Sequence, residues 1–404
     1  MKEKVLLAFS GGLDTSFCAI YLAAEKGYDV HTLTVNTGGF DEKELATIAE
    51  RAGYLGIKHH AVADCTRDYY DKVIRFLIYG NVLKNQAYPL SVSAERMSQA
   101  LAVAEYAAAH GISTVAHGST AAGNDQVRFD LVLQTLLPEV KILTPIRELQ
   151  LSRQQEIDYL RSHGVEMDFT KAAYSINKGL WGTSVGGVET LQSLGSLPES
   201  AWPTQLSRYD SETIVLKFEK GELKNINNID FEHSALAIQH LQAIAGPFAI
   251  GRDIHVGDTI IGIKGRVGFE AAAAILILKA HLALEKHTLT KWQLYWKEQV
   301  GQFYGNWLHE GLYLDPVMRD LEAFLESSQA TVTGEVHLKL HPYRFEVLGI
   351  QSDFDLMSDR YGSYGEMNRS WTGADVQGFT KIFGNQLRIA RQVQRDALLK
   401  GEES

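Results

Sequence analysis

The chain has 404 residues, 45% of them apolar, enough to bury a large core and long enough for two domains or more. Its 39 basic residues against 49 acidic ones leave a net charge of −10 with no basic block. That balance argues against a protein that holds nucleic acid through its phosphates and favours small-molecule substrates. Cys18 and Cys65 are the only cysteines and stand far apart, so neither a disulfide framework nor a zinc site is indicated, and a cytoplasmic protein is expected.

In chain order, residues 5–9 read as a strand and 15–25, closed by Gly27, as a helix. The apolar run before Ser10 and the run 271–278 are both too short for a signal peptide or a membrane span, so no membrane partner is expected. Ala8, Phe9, Ser10, Gly11, Gly12, Leu13, Asp14, Thr15 and Ser16 make the turn between that first strand and helix. Backbone N–H groups at a helix start lack intrahelical partners, and with the helix dipole they favour an anion, which Gly11 and Gly12 let approach closely. Ser10, Thr15 and Ser16 add hydroxyl donors. The spacing is neither a Walker A nor G-x-G-x-x-G. The plainer alternative is a turn capped by Asp14 or Ser10.

Further strands are expected at 30–35, 58–62 and 114–116, with helices at about 41–55, 71–83 and 94–109. Strands alternating with helices predict an α/β fold whose parallel sheet is covered on both faces, with the ligand beyond the strand C-termini. Ser10-Gly11-Gly12 and His117-Gly118-Ser119-Thr120 both fall there. After about residue 165 the pattern changes to alternating runs at 213–218, 259–263, 331–340 and 344–348, with helices at 270–286 and 289–307, which suggests an α+β second domain. The tail 378–399 reads as one helix with Phe379, Ile382, Phe383, Ile389, Ala390 and Val393 on one stripe, needing cover from another subunit or from its own domain.

The turn after the first strand resembles the S-G-G-x-D-[ST]-S signature of the pyrophosphate-loop ATP pyrophosphatases, which split ATP between the α and β phosphates and transfer AMP. Beyond it, His117-Gly118-Ser119-Thr120 with Gly123-Asn124-Asp125-Gln126-Val127-Arg128-Phe129 resembles the H-G-x-T-x-x-G-N-D-Q-x-R-F block of the argininosuccinate synthase family. Tyr88-Pro89-Leu90 with Ser93 and Arg96, Ser152-Arg153 with Glu156, His163-Gly164, Tyr174-Ser175, Leu180-Trp181, Ser184, Asp375 and Gly378-Phe379 stand in that family's order.

The resemblance implies a nucleotide-binding domain of the adenine nucleotide α-hydrolase type over 1–165, a synthetase and multimerisation domain over 166–374, and a C-terminal oligomerisation helix over 375–404, assembled as a homotetramer. It implies ATP-dependent ligation of citrulline with aspartate in arginine biosynthesis, through a citrullyl-adenylate, releasing AMP and pyrophosphate. Mg²⁺ would arrive with ATP, with no tightly bound cofactor and no metal held by the protein alone. By the same resemblance, residues 8–16, Val35 and Gly118 hold ATP, and Thr120, Asn124 and Asp125 grip aspartate. Tyr88, Ser93, Asn124, Arg128, Ser175 and Ser184 line the citrulline site. Such a transfer needs positioning and electrostatics more than covalent work.

The departures from the family cluster. Its glutamate in V-E-N-R is Gly257 here, its tyrosine before E-T-P is Phe269, a further glutamate falls at Gly186, and the lysine of T-G-K-G is Ala122. The first three lie on the citrulline side. A free α-ammonium taken out of water needs a carboxylate or several acceptors, and two glycines open volume, so the same chemistry on an α-N-acylated citrulline, such as the N-succinyl form, is an alternative. Three other readings have weaker support. Gly182-Thr183-Ser184-Val185-Gly186 fits a hydrolase nucleophile elbow but follows a polar stretch at 175–179 read as irregular. A tRNA-thiolating enzyme conflicts with the acidic balance. A non-catalytic nucleotide sensor need not keep Asn124, Asp125 and Arg128 in register.

Overall fold

The computed structural model describes residues 2–120, 123–166, 174–362, 364–366 and 370–402, so Ala122 lies outside the described residues. The first strands and helices follow the expected alternation: β1 (Lys4–Ala8), α1 (Leu13–Ala24), β2 (Asp29–Asn36), α2 (Glu42–Tyr54) and β3 (His59–Asp64). Asp41 starts α2 with a capping box closed by Glu44. Next come α3 (Thr66–Tyr69), a π-helical segment (Tyr70–Ile74), α4 (Arg75–Tyr79), α5 (Ser91–Ala109), β4 (Thr114–Ala116), α6 (Asp125–Leu136), β5 (Lys141–Leu143), α7 (Pro145–Leu149) and α8 (Arg153–Ser162).

These strands form one parallel sheet in the order β3-β2-β1-β4-β5. Alternate residues of β1 feed different cores: Val5 and Leu7 pack with Phe17, Ile157 and Leu160, while Leu6 joins Leu33, Val115 and Met97 on the other face. The strand order reverses between β1 and β4. Their carboxyl ends therefore flank the crevice in which open α/β sheets bind ligands.

The remaining strands are antiparallel. A four-stranded sheet, β11-β12-β7-β6, is built from β6 (Ser175–Gly179), β7 (Gly182–Gly186), β11 (Arg252–Asp258) and β12 (Lys264–Glu270). A five-stranded one, β10-β9-β8-β13-β14, uses β8 (Glu212–Glu219), β9 (Glu222–Ile226), β10 (Ile229–Asp230), β13 (Gly334–His341) and β14 (Arg344–Gln351). α9 (Ser234–Ala245), α10 (Ala272–Thr288), α11 (Lys291–His309) and α12 (Val317–Ser327) pack with them in one compact unit, residues 1–354, that contains all three sheets.

Several expectations need correction. Residues 259–263 are the turn of the β11/β12 hairpin, closed by Thr259 Oγ1 donating to Ile263 O at 2.8 Å with Gly262 at φ +83°, so Ile260, Ile261 and Ile263 only imitate a strand. Residues 175–179 form β6, whose inward polar side chains serve the site described below. Ser184 lies within β7, with no strand-to-helix turn around it, which removes the nucleophile-elbow reading. The tail, part of a second unit spanning 355–404, is two helices, α13 (Gly373–Phe383) and α14 (Asn385–Glu402), broken at Gly384. Its apolar stripe is exposed, Phe379 stacking on Phe383 at 5.1 Å. No described helix is long and apolar enough to cross a membrane.

Candidate active site

The loop after β1 presents an unblocked helix start. Gly12 is the N-cap of α1, in extended backbone and with no side-chain cap, and Gly11 sits at φ +70°, where a β-carbon is disfavoured. Neither Asp14 nor Ser10 caps the helix, contrary to the plainer reading. Ser10 Oγ instead accepts from Gly12 N at 3.4 Å and lies 3.3 Å from Thr15 Oγ1. The buried Ser16 hydroxyl has no partner among the described residues. Arg51 of α2 donates to the Gly11 carbonyl and braces the loop from behind. A methyl placed on Gly118 would sit 3.3 Å from Asp14 Cβ and Thr15 Cγ2, so the segment after β4 closes directly on the start of α1. Val35, near the end of β2, is buried.

Two carboxyls stand beside this anion cradle. Asp14 is hydrogen-bonded to Glu156 of α8, and Arg153, one turn earlier, acts on both. Burial raises both carboxyls, Glu156 to about 8 with help from the Asp14 charge, so the pair shares a proton at neutral pH. Glu156 Oε2 is buried without a partner among the described residues. A carboxylate pair beside an anion cradle suits a hard divalent cation, which binds through one or two carboxylates plus anion oxygens.

A second polar cluster starts from the segment after β4. Asp125, the first residue of α6, accepts from Arg96 Nε at 2.9 Å and from Arg128 Nη1 at 3.1 Å. Arg128 Nη2 reaches Ser93 Oγ at 2.9 Å and the His309 carbonyl at 3.0 Å, and Ser93 Oγ lies 3.1 Å from His309 Nδ1. Arg96 also donates to Asn177 Oδ1, whose amide donates to Ser184 Oγ at 3.3 Å. One chain of hydrogen bonds thus joins Ser93, Arg128, Asp125, Arg96, Asn177 and Ser184, drawn from α5, α6, β6 and β7. Burial works against the Asp125 carboxylate, but Arg96 and Arg128 outweigh it and hold the carboxyl below its usual range. Burial and the charges of Arg128 and Lys84 push His309 down to about 3, so it is neutral at working pH.

The structure places the other expected residues around this chain. Ser175 shares the face of Asn177 and Ser184 on the β6/β7 hairpin. Tyr88 is buried, its hydroxyl accepting from Val92 N at 2.9 Å and its ring stacked on His255 at 5.0 Å. Asn124 Oδ1 accepts from Ile260 N at 2.8 Å, so the turn of the β11/β12 hairpin rests on it. Thr120 is exposed. The volume expected at Gly257 is filled: a β-carbon there would lie 2.5 Å from His255 Nε2. His255, His309, Lys84 and Asn177 escaped the sequence reading because each is brought to the site from a distant segment, and none sits in a short motif.

An uncapped helix start and an arginine–aspartate network, issuing from neighbouring strands of a parallel sheet, define a nucleotide-using enzyme of the α/β class. The profile of the arginosuccinate synthase N-terminal HUP domain matches residues 4–166, and that of the arginosuccinate synthase C-terminal domain matches 174–390. Argininosuccinate synthase from Xanthomonas axonopodis pv. citri is 36% identical over 97% of this chain and 96% of its own length. That of Dictyoglomus turgidum is 36% identical over 95% of this chain and 96% of its own. The chain belongs to the argininosuccinate synthase family, and it is a ligase that forms C–N bonds.

Proposed function

We propose that the enzyme joins a citrulline to aspartate through a citrullyl-adenylate. The observation that carries this reading is the pairing of an unblocked α1 start with the Ser93–Arg128–Asp125 network at the ends of adjacent strands β1 and β4. The ureido oxygen attacks the α-phosphorus; an O–P bond forms, the bond to the β-phosphate oxygen breaks, and pyrophosphate leaves. The aspartate amine then attacks the ureido carbon, the C–O bond to AMP breaks, and the amine gives up a proton.

The chain's own groups do the positioning. The free N–H groups of α1, with Ser10, Thr15 and Ser16, receive the phosphates, while Val35 and the Gly118 backbone border the adenosine. Asp14 and Glu156 meet the Mg²⁺ that accompanies ATP. Arg128 and Ser93, with Tyr88, Ser175 and Ser184, orient the carbamoylated substrate, and Thr120, Asn124 and Asp125 take aspartate. In this reading residues 1–165 bind nucleotide, 166–374 complete the substrate site and support assembly, and 375–404 hold a homotetramer together.

Isotope exchange between pyrophosphate and ATP, measured with a citrulline but without aspartate, tests the first step. Exchange that requires the citrulline supports the adenylate. ATP binding without exchange, for any citrulline form, would leave a nucleotide sensor as the better reading.

A further inference from the structure

The front face of the four-stranded sheet shows what replaces the side chains lost at Gly186, Gly257 and Phe269. Strand alternation puts Asn177, Ser184 and Gly186 on the same face as Val267 and Phe269 of β12 and His255 and Gly257 of β11. His255 pairs with Val267, and one more step of the β12/β7 register sets Val267 against Gly186. The three make one transverse row whose ends are roughly 10 Å apart, two strand spacings.

The two ends of the row differ. A β-carbon on Gly186 would meet nothing nearer than Ser175, at 3.9 Å. The His255 imidazole, only 7% exposed, occupies the room of a side chain at 257, yet it makes no hydrogen bond among the described residues. Neither ring nitrogen is sealed from solvent, so both are free to meet a ligand group on this face.

Charge indicates which group. Lys84 Nζ is bonded to Asn306 Oδ1 at 3.0 Å, and its charge acts on both His255 and His309, with Glu310 and Asp258 tempering it and Asp253 acting on His255 in the opposite sense, more weakly. Of the carboxylates nearby, Asp125 is held by two arginines, Asp258 is paired with Lys264, Glu189 accepts from Tyr174, Glu310 is half-buried, and Asp253 lies at the surface. Among the described residues of this sheet face the acidic side chain is Asp253, which is exposed, so an α-ammonium meets no buried carboxylate there. A carboxylate finds a lysine and an unpaired imidazole.

We propose that the row Gly186, Val267 and His255 receives an acyl group on the α-nitrogen of citrulline, and that this acyl group ends in a carboxylate held by His255 and Lys84. The substrate class is the half-amide of a short dicarboxylic acid, of succinyl size. Acylation removes the ammonium that the family's missing glutamates would neutralise, and the absent side chain at 186 leaves room for the added atoms. The inference rests on the ligase reading above.

The test uses the full-length enzyme with ATP and aspartate saturating and compares kcat/KM for L-citrulline, N-acetyl-L-citrulline and N-succinyl-L-citrulline. The succinyl form is expected to exceed both others by about tenfold or more. His255→Ala should cut the succinyl-to-acetyl ratio about tenfold, His255→Gln, which keeps a donor, should restore part of it, and Gly186→Glu should move preference toward free citrulline. If His255→Ala does not fold, the Gln and Gly186→Glu variants carry the comparison. Preference for free citrulline, or equal use of the acetyl and succinyl forms, overturns the inference and leaves the ligase reading intact. AMP formation with none of the three overturns both.

Discussion

Asp14 and Glu156 are acidic side chains at the helix start proposed to receive phosphates, and this opposition makes them sensitive probes. On the proposed assignment, Asp14→Ala should lower AMP formation at least about a hundredfold, as loss of single electrostatic groups does at other acyl and phosphoryl sites. The unfolding midpoint should hold or rise, since burial disfavours the Asp14 charge and its removal relieves that cost. A large loss of stability without loss of turnover would contradict this assignment.

The same pair gives a pH signature. Glu156 is raised in the fold from 4.5 to about 8, so between those values the unfolded chain has released a proton that the folded one still holds. Fewer protons bound by the unfolded state means that stability falls as pH rises through this window, then levels off above it. Glu156→Gln should flatten that decline, as read from thermal unfolding across the window; an unchanged slope would place its origin elsewhere. Asn124 is the residue whose side chain already bonds the hairpin turn at Ile260, so Asn124→Ala is expected to raise the KM for aspartate about tenfold or more with little effect on ATP. Equal effects on both substrates would remove it from the aspartate site.

Among elements, the β6/β7 hairpin carries Ser175, Asn177 and Ser184 and meets the backbone of the segment after β2 closely. Leu180 N donates to Thr37 O at 3.0 Å, and a β-carbon on Gly39 would lie 2.1 Å from Lys178 O. Backbone meets backbone there, so neither side can yield cheaply. Gly39→Ala should therefore cost about 1–3 kcal/mol in stability, the usual range for forced overpacking. It should also lower kcat by tilting the hairpin away from Arg96, whereas Gly53→Ala, where nothing lies within 4 Å, serves as a control. Denaturant unfolding of the two variants side by side decides the point; similar midpoints would mean that the contact relaxes without cost.

For the molecule as a whole, the open question is what covers the tail. Ile382, Phe383 and Leu387 are each at least 75% exposed, more apolar surface than a lone helix pair normally leaves in water. If the proposed homotetramer is held by the tail, removing residues 373–404 should give a smaller assembly in light scattering and leave the compact unit 1–354 folded. An unchanged mass would show that other surfaces hold the assembly.

The sequence by itself determined the parallel α/β half, because hydrophobic period and glycine placement act locally. A strand such as 4–8, buried on both faces, and a glycine pair before a helix leave few other structures. The same holds for Asn124, Asp125 and Arg128, which lie within a helical turn of one another and so meet in any fold that makes α6. Local pattern failed where tertiary contacts outweigh it: three isoleucines read as a strand became a hairpin turn, and a polar stretch became β6 because its hydrogen bonds are made to β7. Only the tertiary structure decided that Arg96 reaches Asn177, that Glu156 meets Asp14 across α1 and α8, and that His255 fills the space beside Gly257. Each of these contacts joins segments tens of residues or more apart, except the last, where the packing of Tyr88 against the sheet selects the ring's orientation. Packing of that kind leaves no periodic trace in a sequence, since it depends on which faces meet and not on the order of residues along either one.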